Sequence, residues 1–193
     1  MLVNVDFDKT LHIIGIGYVA EELQSWISEE HYIKCVLVTL EEYQTLPAQS
    51  QCLLGRGDYT TRVNFLKQDI SYHTWPTYIH PRATITKTAQ LGMGSVVQPH
   101  ACLGHGVKVG DFGWITVNSH IGHGGQVGRN VMLYPGSILS GSVQVGDNVG
   151  FGQGSSVRDK IKIGSDIQFS MSSVVTKDIL DPGTYTHNKR AIQ

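Results

Sequence analysis

Several scarce features narrow the class of this chain. Its 193 residues hold only three cysteines, Cys35, Cys52 and Cys102, which are odd in number, far apart, and fit neither a disulfide framework nor a zinc spacing. No apolar run approaches the roughly 20 residues that a bilayer span needs. The first ten residues carry Asp6 and Asp8 and lack the basic start and apolar stretch of a signal peptide, so a cytoplasmic location is expected. Charged residues make up 16% and hydrophobic residues 40%, the balance of a soluble globular protein and not of a disordered, fibrous or membrane chain. The length suits one large domain, or a medium domain with a small one.

Glycine is scarce in one half only. Of 22 glycines, 4 lie before residue 79. Residues 1–78 hold 10 acids against 5 bases, a net −5, whereas 79–193 hold 6 acids against 10 bases, a net +4. Two domains are therefore expected, 1–76 and 77–193, meeting near His73-Thr74-Trp75-Pro76-Thr77-Tyr78. The positive half has no arginine-rich stretch, so nucleic acid is not an expected partner. It suits a ligand with several phosphates, for which Arg158, Lys160, Lys162, Lys177, Lys189 and Arg190 are the available bases. A solvated surface would carry the same scatter.

A six-residue period decides the fold of the second half. Every sixth residue from Ile79 through Ile85, Leu91, Val97 and onward to Phe169 and Val175 is large and apolar, 17 positions in all. Chance would give such a run about once in a million tries at this composition. Four residues after each, the chain is mostly small or β-branched, as at Ala83, Ala89, Ser95, Ala101, Gly113, Ser119 and Ser137. Period six fits neither an isolated α-helix nor plain strand alternation. It fits a coil of three short flat sides, 18 residues per turn, with the large residues filling the axis. A glycine follows the axial residue once per turn, at Gly92, Gly110, Gly128, Gly146 and Gly164, and is read as a corner that needs backbone freedom. The expected fold for 79–175 is an all-β, left-handed parallel β-helix of more than five coils, with residues 18 apart stacked roughly 4.8 Å from one another. Its ends need covering, and the N-terminal domain and the residues after Val175 are available for that.

The first half reads as a small α/β, Rossmann-like domain. Leu11-His12-Ile13-Ile14 is an expected buried strand, followed by Gly15-Ile16-Gly17-Tyr18-Val19-Ala20 and a helical pattern through Leu23, Trp26 and Ile27. Further strands are expected over 32–40 and 52–54, and Gly57-Asp58 opens a second helix through Val63, Phe65 and Leu66. Glycines after a strand let the backbone approach a phosphate, and the helix N-terminus attracts its charge. The same glycines also make a plain structural turn. About 75 residues leave no room for a full six-stranded dinucleotide fold, so one mononucleotide moiety is the better fit.

Taken together, Ile13-Ile14-Gly15-Ile16-Gly17, Ala20-Glu21-Glu22, Gly57-Asp58, Ile79-His80-Pro81, the hexapeptides and Ser173-Val174-Val175-Thr176-Lys177-Asp178-Ile179 resemble one family across nearly the whole chain. It is the sugar-nucleotide acetyltransferase family, which includes sialic acid O-acetyltransferase-like proteins and UDP-4-amino-sugar N-acetyltransferases. The resemblance implies an acetyl-CoA-dependent acetyltransferase acting on a nucleotide-linked amino sugar. It implies a small domain that binds the nucleotide-sugar, here with Gly15, Gly17, Tyr18 and Asp58 as contacts. It implies a homotrimer with acetyl-CoA between adjacent β-helices.

Carried over by position, the resemblance makes His123 the general base and the Gly141 N–H the oxyanion donor, 18 residues apart. Gly150, Gly152, Gly154 and Ser155 match the glycine-rich coil beside the pantetheine arm, with Gly141, Lys160, Lys162, Lys177 and Lys189 as further CoA contacts. Three departures stand out. The family's acidic neighbours of the histidine are Gly122 and Gly124 here, leaving Asn118 or His120 to orient His123 in their place, with His120 also a rival for the base. Thr186-His187-Asn188-Lys189-Arg190-Ala191 lacks the family's proline, and Tyr18-Val19 replaces its Gly-His.

Acylation of a sugar hydroxyl, as in a sialic acid O-acetyltransferase, is the alternative within this class. A non-catalytic hexapeptide scaffold is the alternative outside it. No metal is expected. The γ-class carbonic anhydrases share the β-helix, but their histidine pattern, laid on His123, falls on Asn118 and Arg82. His105 and His123, 18 apart, make at most two ligands.

Overall fold

A computed structural model describes residues 1–191 and resolves two compact units, Met1–Ile79 and His80–Gln193. The last two residues of the expected second domain lie outside the described residues.

In the first unit a parallel three-stranded sheet runs in the order β3-β2-β4, with β2 (Leu11–Ile14) between β3 (Cys35–Val38) and β4 (Gln51–Leu54). β1 (Leu2–Val3) pairs antiparallel with β5 (Thr77–Ile79). Leu11, Ile13, Ile14, Leu53 and Leu54 are fully buried, which is what drives these apolar runs into the sheet. α1 (Tyr18–Glu30) buries Ala20, Leu23 and Ile27, the i, i+3 and i+7 positions of one face. The strand expected over 32–40 is shorter because Thr39 starts a helix, α2 (Leu40–Tyr43). Its side chain accepts from Glu42 N at 3.1 Å while the Glu42 carboxylate accepts from Thr39 N at 2.7 Å, a reciprocal capping box. α3 (Tyr59–Phe65) is capped by Asp58. A three-stranded parallel sheet with three helices is far less than a full dinucleotide fold.

The second unit is a left-handed parallel β-helix. Its first sheet stacks the strands at 84–85, 102–103, 120–121, 138–139, 156–157 and 174–175; its second, those at 90–91, 108–109, 126–127, 144–145 and 162–163. The third stacks 96–97, 114–115, 132–133, Val149–Phe151 and Ile167–Phe169. Every pairing within them joins residues 18 apart, such as His120 with Ile138 and Gln126 with Gln144. The axial residues from Val97 to Val175 are all buried, whereas Ile85 and Leu91 in the first coil are half-buried. Phe151 and Phe169 stack in the axis, 5.2 Å between centroids and 11° apart in plane. The segment after Val175 closes the far end. Gly183–Thr186 adds a parallel rung on Ile167–Phe169, and Lys189–Arg190 folds back on it antiparallel.

The corners require one correction. Gly92, Gly110, Gly128, Gly146 and Gly164 do not have left-handed backbone; that conformation lies two residues later, at Gly94, Phe112, Asn130, Asn148 and Asp166. The five glycines are needed for space instead. A Cβ on any of them would press on the next coil, for example on Asp111 at Gly92, Asp147 at Gly128 and Leu180 at Gly164. The left-handed residues at that corner hold each other with side chains, Asn130 Nδ2 donating to Asn148 Oδ1 at 3.1 Å and Asn148 Nδ2 to Asp166 Oδ1 at 3.0 Å.

Candidate functional site

The strand at His120–Ile121 carries the chain along the first sheet and delivers His123 to the corner between the first and second sheets. His105, Gly141 and Asp159 share that corner position on the neighbouring coils, being 18 residues apart. Gly141 has no side chain, and the His123 imidazole fills the space a side chain would use: an ideal Cβ on Gly141 would lie 2.6 Å from His123 Cε1 and 2.7 Å from Nε2. The two coils are joined there by Ser142 N donating to His123 O at 2.8 Å. The Gly141 carbonyl accepts from Lys160 N at 2.9 Å, and among the described residues its N–H has no acceptor. An exposed imidazole thus lies beside an open backbone donor. That pair can take a proton from a nucleophile and hold negative charge on an oxygen.

Neither residue expected to orient His123 does so. Asn118 stands at the preceding corner, between the third and first sheets, with left-handed backbone at φ 56°. His120 lies on the flat side, half-buried between Cys102 and Ile138. Among the described residues nothing hydrogen-bonds the His123 ring. His105 is turned to the preceding coil, its Nδ1 3.0 Å from Thr88 Oγ1, so it does not pair with His123. No group of three His, Cys, Asp or Glu residues is placed to hold a metal ion among the described residues.

The glycine-rich stretch lies elsewhere. Gly150 and Gly152 are buried, Gly150 between Met132 and Gln168 in the third sheet. Gly154, at φ 68°, turns the same corner as Asn118. Ser155 is 1% exposed, and its hydroxyl donates to Ser170 O at 3.2 Å, so that side chain serves its own corner and is not available to an external ligand. Within one chain, therefore, these residues lie on the third sheet and at the corner that follows it, whereas His123 lies at the corner between the first and second sheets.

The four lysines also separate. Lys160 is at the His123 corner, its Nζ 4.0 Å from the Asp159 carboxylate. Lys162 lines a groove of about 620 Å³ on the second sheet, together with Lys108, Gln126, Gln144 and Leu180. Lys177 follows the last coil and Lys189 sits on the closing strand, both exposed. Lys108 and Asp159 were not singled out from sequence. The 18-residue spacing was signal enough for both, since it stacks Lys108, Gln126, Gln144 and Lys162 in one column and Asp159 beyond His123 and Gly141.

In the first unit, Gly15 and Gly17 take φ of 139° and 90°, and Gly17 caps α1 without any side-chain hydrogen bond. Tyr18 is 90% exposed beside them. The loop after β4 packs against this turn, so that a Cβ on Gly15 would be 2.9 Å from Arg56 Cδ and 3.0 Å from Gly55 O. Buried Arg62 holds that loop by donating to Leu54 O at 3.3 Å and Arg56 O at 3.1 Å. Asp58 is engaged locally: it accepts from Thr61 N at 2.8 Å and pairs with Arg56 at 3.1 Å. Burial works to raise its pKa, but the hydrogen bonds from Thr61 and the nearby Arg56 guanidinium outweigh this and hold the carboxyl below its ordinary value.

No protein-family model and no curated protein sequence matches the chain. Solved structures do. The acetyltransferase domain of PglB from Neisseria gonorrhoeae FA1090, in complex with acetyl coenzyme A, matches with a TM-score of 0.81 at 22% identity, over 91% of this chain and 95% of that one. A histidine mutant of perosamine N-acetyltransferase from Caulobacter crescentus, in complex with CoA and GDP-perosamine, matches with a TM-score of 0.79 at 21% identity, over 95% and 94%. WeeI from Acinetobacter baumannii AYE matches with a TM-score of 0.77 at 18% identity, over 96% and 100%. At these identities the likeness is one of fold, and two of the three are acetyltransferases by name.

Proposed function

We propose that this protein transfers an acetyl group from acetyl-CoA to the amino group of a nucleotide-linked sugar, with His123 as general base. The observation that carries the reading is the His123 ring resting on Gly141, beside a backbone N–H that has no acceptor among the described residues. The amine nitrogen attacks the thioester carbonyl, and His123 takes the proton it loses. Gly141 N–H donates to the oxygen as it becomes negative. Collapse of that species breaks the C–S bond, and the departing sulfur takes the proton back from His123. No acyl-enzyme is required.

Nitrogen is preferred to oxygen as the acceptor because perosamine N-acetyltransferase shares this fold over almost its whole length. We assign the nucleotide to the Rossmann-like first unit, beside the Gly15-Ile16-Gly17 turn and the loop at Gly55 that packs against it. Both follow the carboxyl ends of adjacent parallel strands, where open α/β sheets bind ligands. The reading is completed by a homotrimer, since the glycine-rich corner and the His123 corner are separate within one chain and meet only if neighbouring copies bring them together. Lys160 and Lys162, on the His123 side, are assigned to the CoA phosphates.

The test is to offer acetyl-CoA with a panel of nucleotide-linked amino sugars and follow acetylated product and free thiol. His123→Ala should retain the assembly and lose turnover by about two or more orders of magnitude. Full activity in that variant would place the base elsewhere.

A further inference from the structure

His123 has no partner for its imidazole among the described residues, and Gly122 and Gly124, on either side of it, have no side chains to offer. A base that becomes an imidazolium works best when a carboxylate fixes its tautomer and balances its charge. The nearest carboxylate along the stack belongs to Asp159, two coils on. Coils stand roughly 4.8 Å apart, so the two Cα atoms are separated by about 9.6 Å. The coil between them contributes only Gly141 at this position, and the imidazole has already leaned into that gap.

Asp159 also differs from the other aspartates at its place in the hexapeptide. Asp111 Oδ1 accepts from Met93 N at 3.0 Å and Asp147 Oδ1 from Arg129 N at 2.7 Å, each from the residue 18 before it. The corresponding donor for Asp159 is Gly141 N–H, and Asp159 leaves it open. Its carboxylate is instead exposed, 4.0 Å from the ammonium of its exposed neighbour Lys160. A pair so exposed holds a side chain only loosely.

We propose that Asp159 is the positioning carboxylate for His123, reaching the imidazole across the gap at Gly141 directly or through one water. The proposal rests on His123 being the base. The other titratable and charged residues at this corner column or next to it in the chain are His105, held by Thr88, then His120, Arg158 and Lys160. Removing Asp159 takes away the carboxylate of this column that could balance an imidazolium.

The experiment is an NMR titration of the His123 ring in the ligand-free protein, its signal assigned by loss in His123→Ala. In Asp159→Asn the midpoint should fall, because the charge that balances the imidazolium is gone. Asp159→Glu should restore it, and Asp147→Asn, which removes a ladder aspartate at another corner, should leave it in place. With acetyl-CoA and an accepted amino sugar, Asp159→Asn should lower kcat about tenfold, move the acid limb of the pH profile the same way, and leave KM for acetyl-CoA within about twofold. An unmoved midpoint in Asp159→Asn overturns the proposal whether or not the protein acetylates a sugar, and so does a moved midpoint with unchanged kcat. Absence of acetyl transfer in the unmodified protein counts against the proposed function, while the titration still decides whether Asp159 acts on His123.

Discussion

Gly141 tolerates no side chain without moving His123, because a Cβ would lie 2.6 Å from the ring. Its backbone is not left-handed, so alanine brings no conformational strain, and the atoms displaced belong to an exposed imidazole. Gly141→Ala should therefore keep its melting temperature within a few degrees and lose turnover by about 100-fold, the scale of a misplaced catalytic group. Thermal unfolding and steady-state kinetics on one preparation check both halves. Asp58 makes the opposite case, a residue in the loop before α3 whose visible interactions are local. Loss of its cap on α3 should cost about 1 kcal/mol at neutral pH. Its pKa is lowered in the folded state, so its contribution is present above the unfolded carboxyl pKa and fades as pH falls through the folded value. The stability gap between the protein and Asp58→Ala should shrink as pH falls below the unfolded aspartate value of about 3.9, read from urea midpoints across pH.

Each flat side of the β-helix is only two or three residues long, so its stability comes from axial side chains and from the coils above and below. Leu139 is fully buried between Ile121 and Val157 in its column. Leu139→Ala should cost about 2–5 kcal/mol, while Ile85→Ala in the first coil, where burial is partial, should cost clearly less. Denaturant midpoints with unchanged slopes would establish this, and equal losses would contradict it. At this scale the sequence was most legible, because a period of six leaves one set of residues facing the axis. The corners were less so. Glycine after the axial residue suggested backbone freedom, but the need there is for room against the next coil, which depends on a residue 18 positions away. α2 was missed although Thr39 and Glu42 spell a capping box, because the apolar run leading into it reads as continuing strand.

Across the molecule, the proposed acetyl-CoA site has a thermodynamic signature independent of turnover. A ligand bound only by the folded state stabilises by about 2.7 kcal/mol at a hundred times its Kd, so acetyl-CoA should raise the melting temperature of the β-helix. A protein that served only as a scaffold would show no such shift. The effect should survive in His123→Ala, whose ring is assigned to proton transfer, and weaken when Lys160 and Lys162 are both replaced by alanine. Among the described residues no helix is long and apolar enough to cross a membrane.

By itself, the sequence determined the coil, the 18-residue stack and hence that His123 and Gly141 are neighbours, since a repeating backbone turns residue spacing directly into distance. It also marked the strand, glycine turn and helix of the first unit, where short-range chemistry suffices. Only the tertiary structure decided which way side chains point within that frame. It turned His105 toward Thr88 and leaned His123 onto Gly141. It sealed Ser155 inside its corner and left Asp159 off the Gly141 N–H. Those outcomes depend on rotamers and on which hydrogen-bond partner is nearer across coils, and no periodicity along the chain records either.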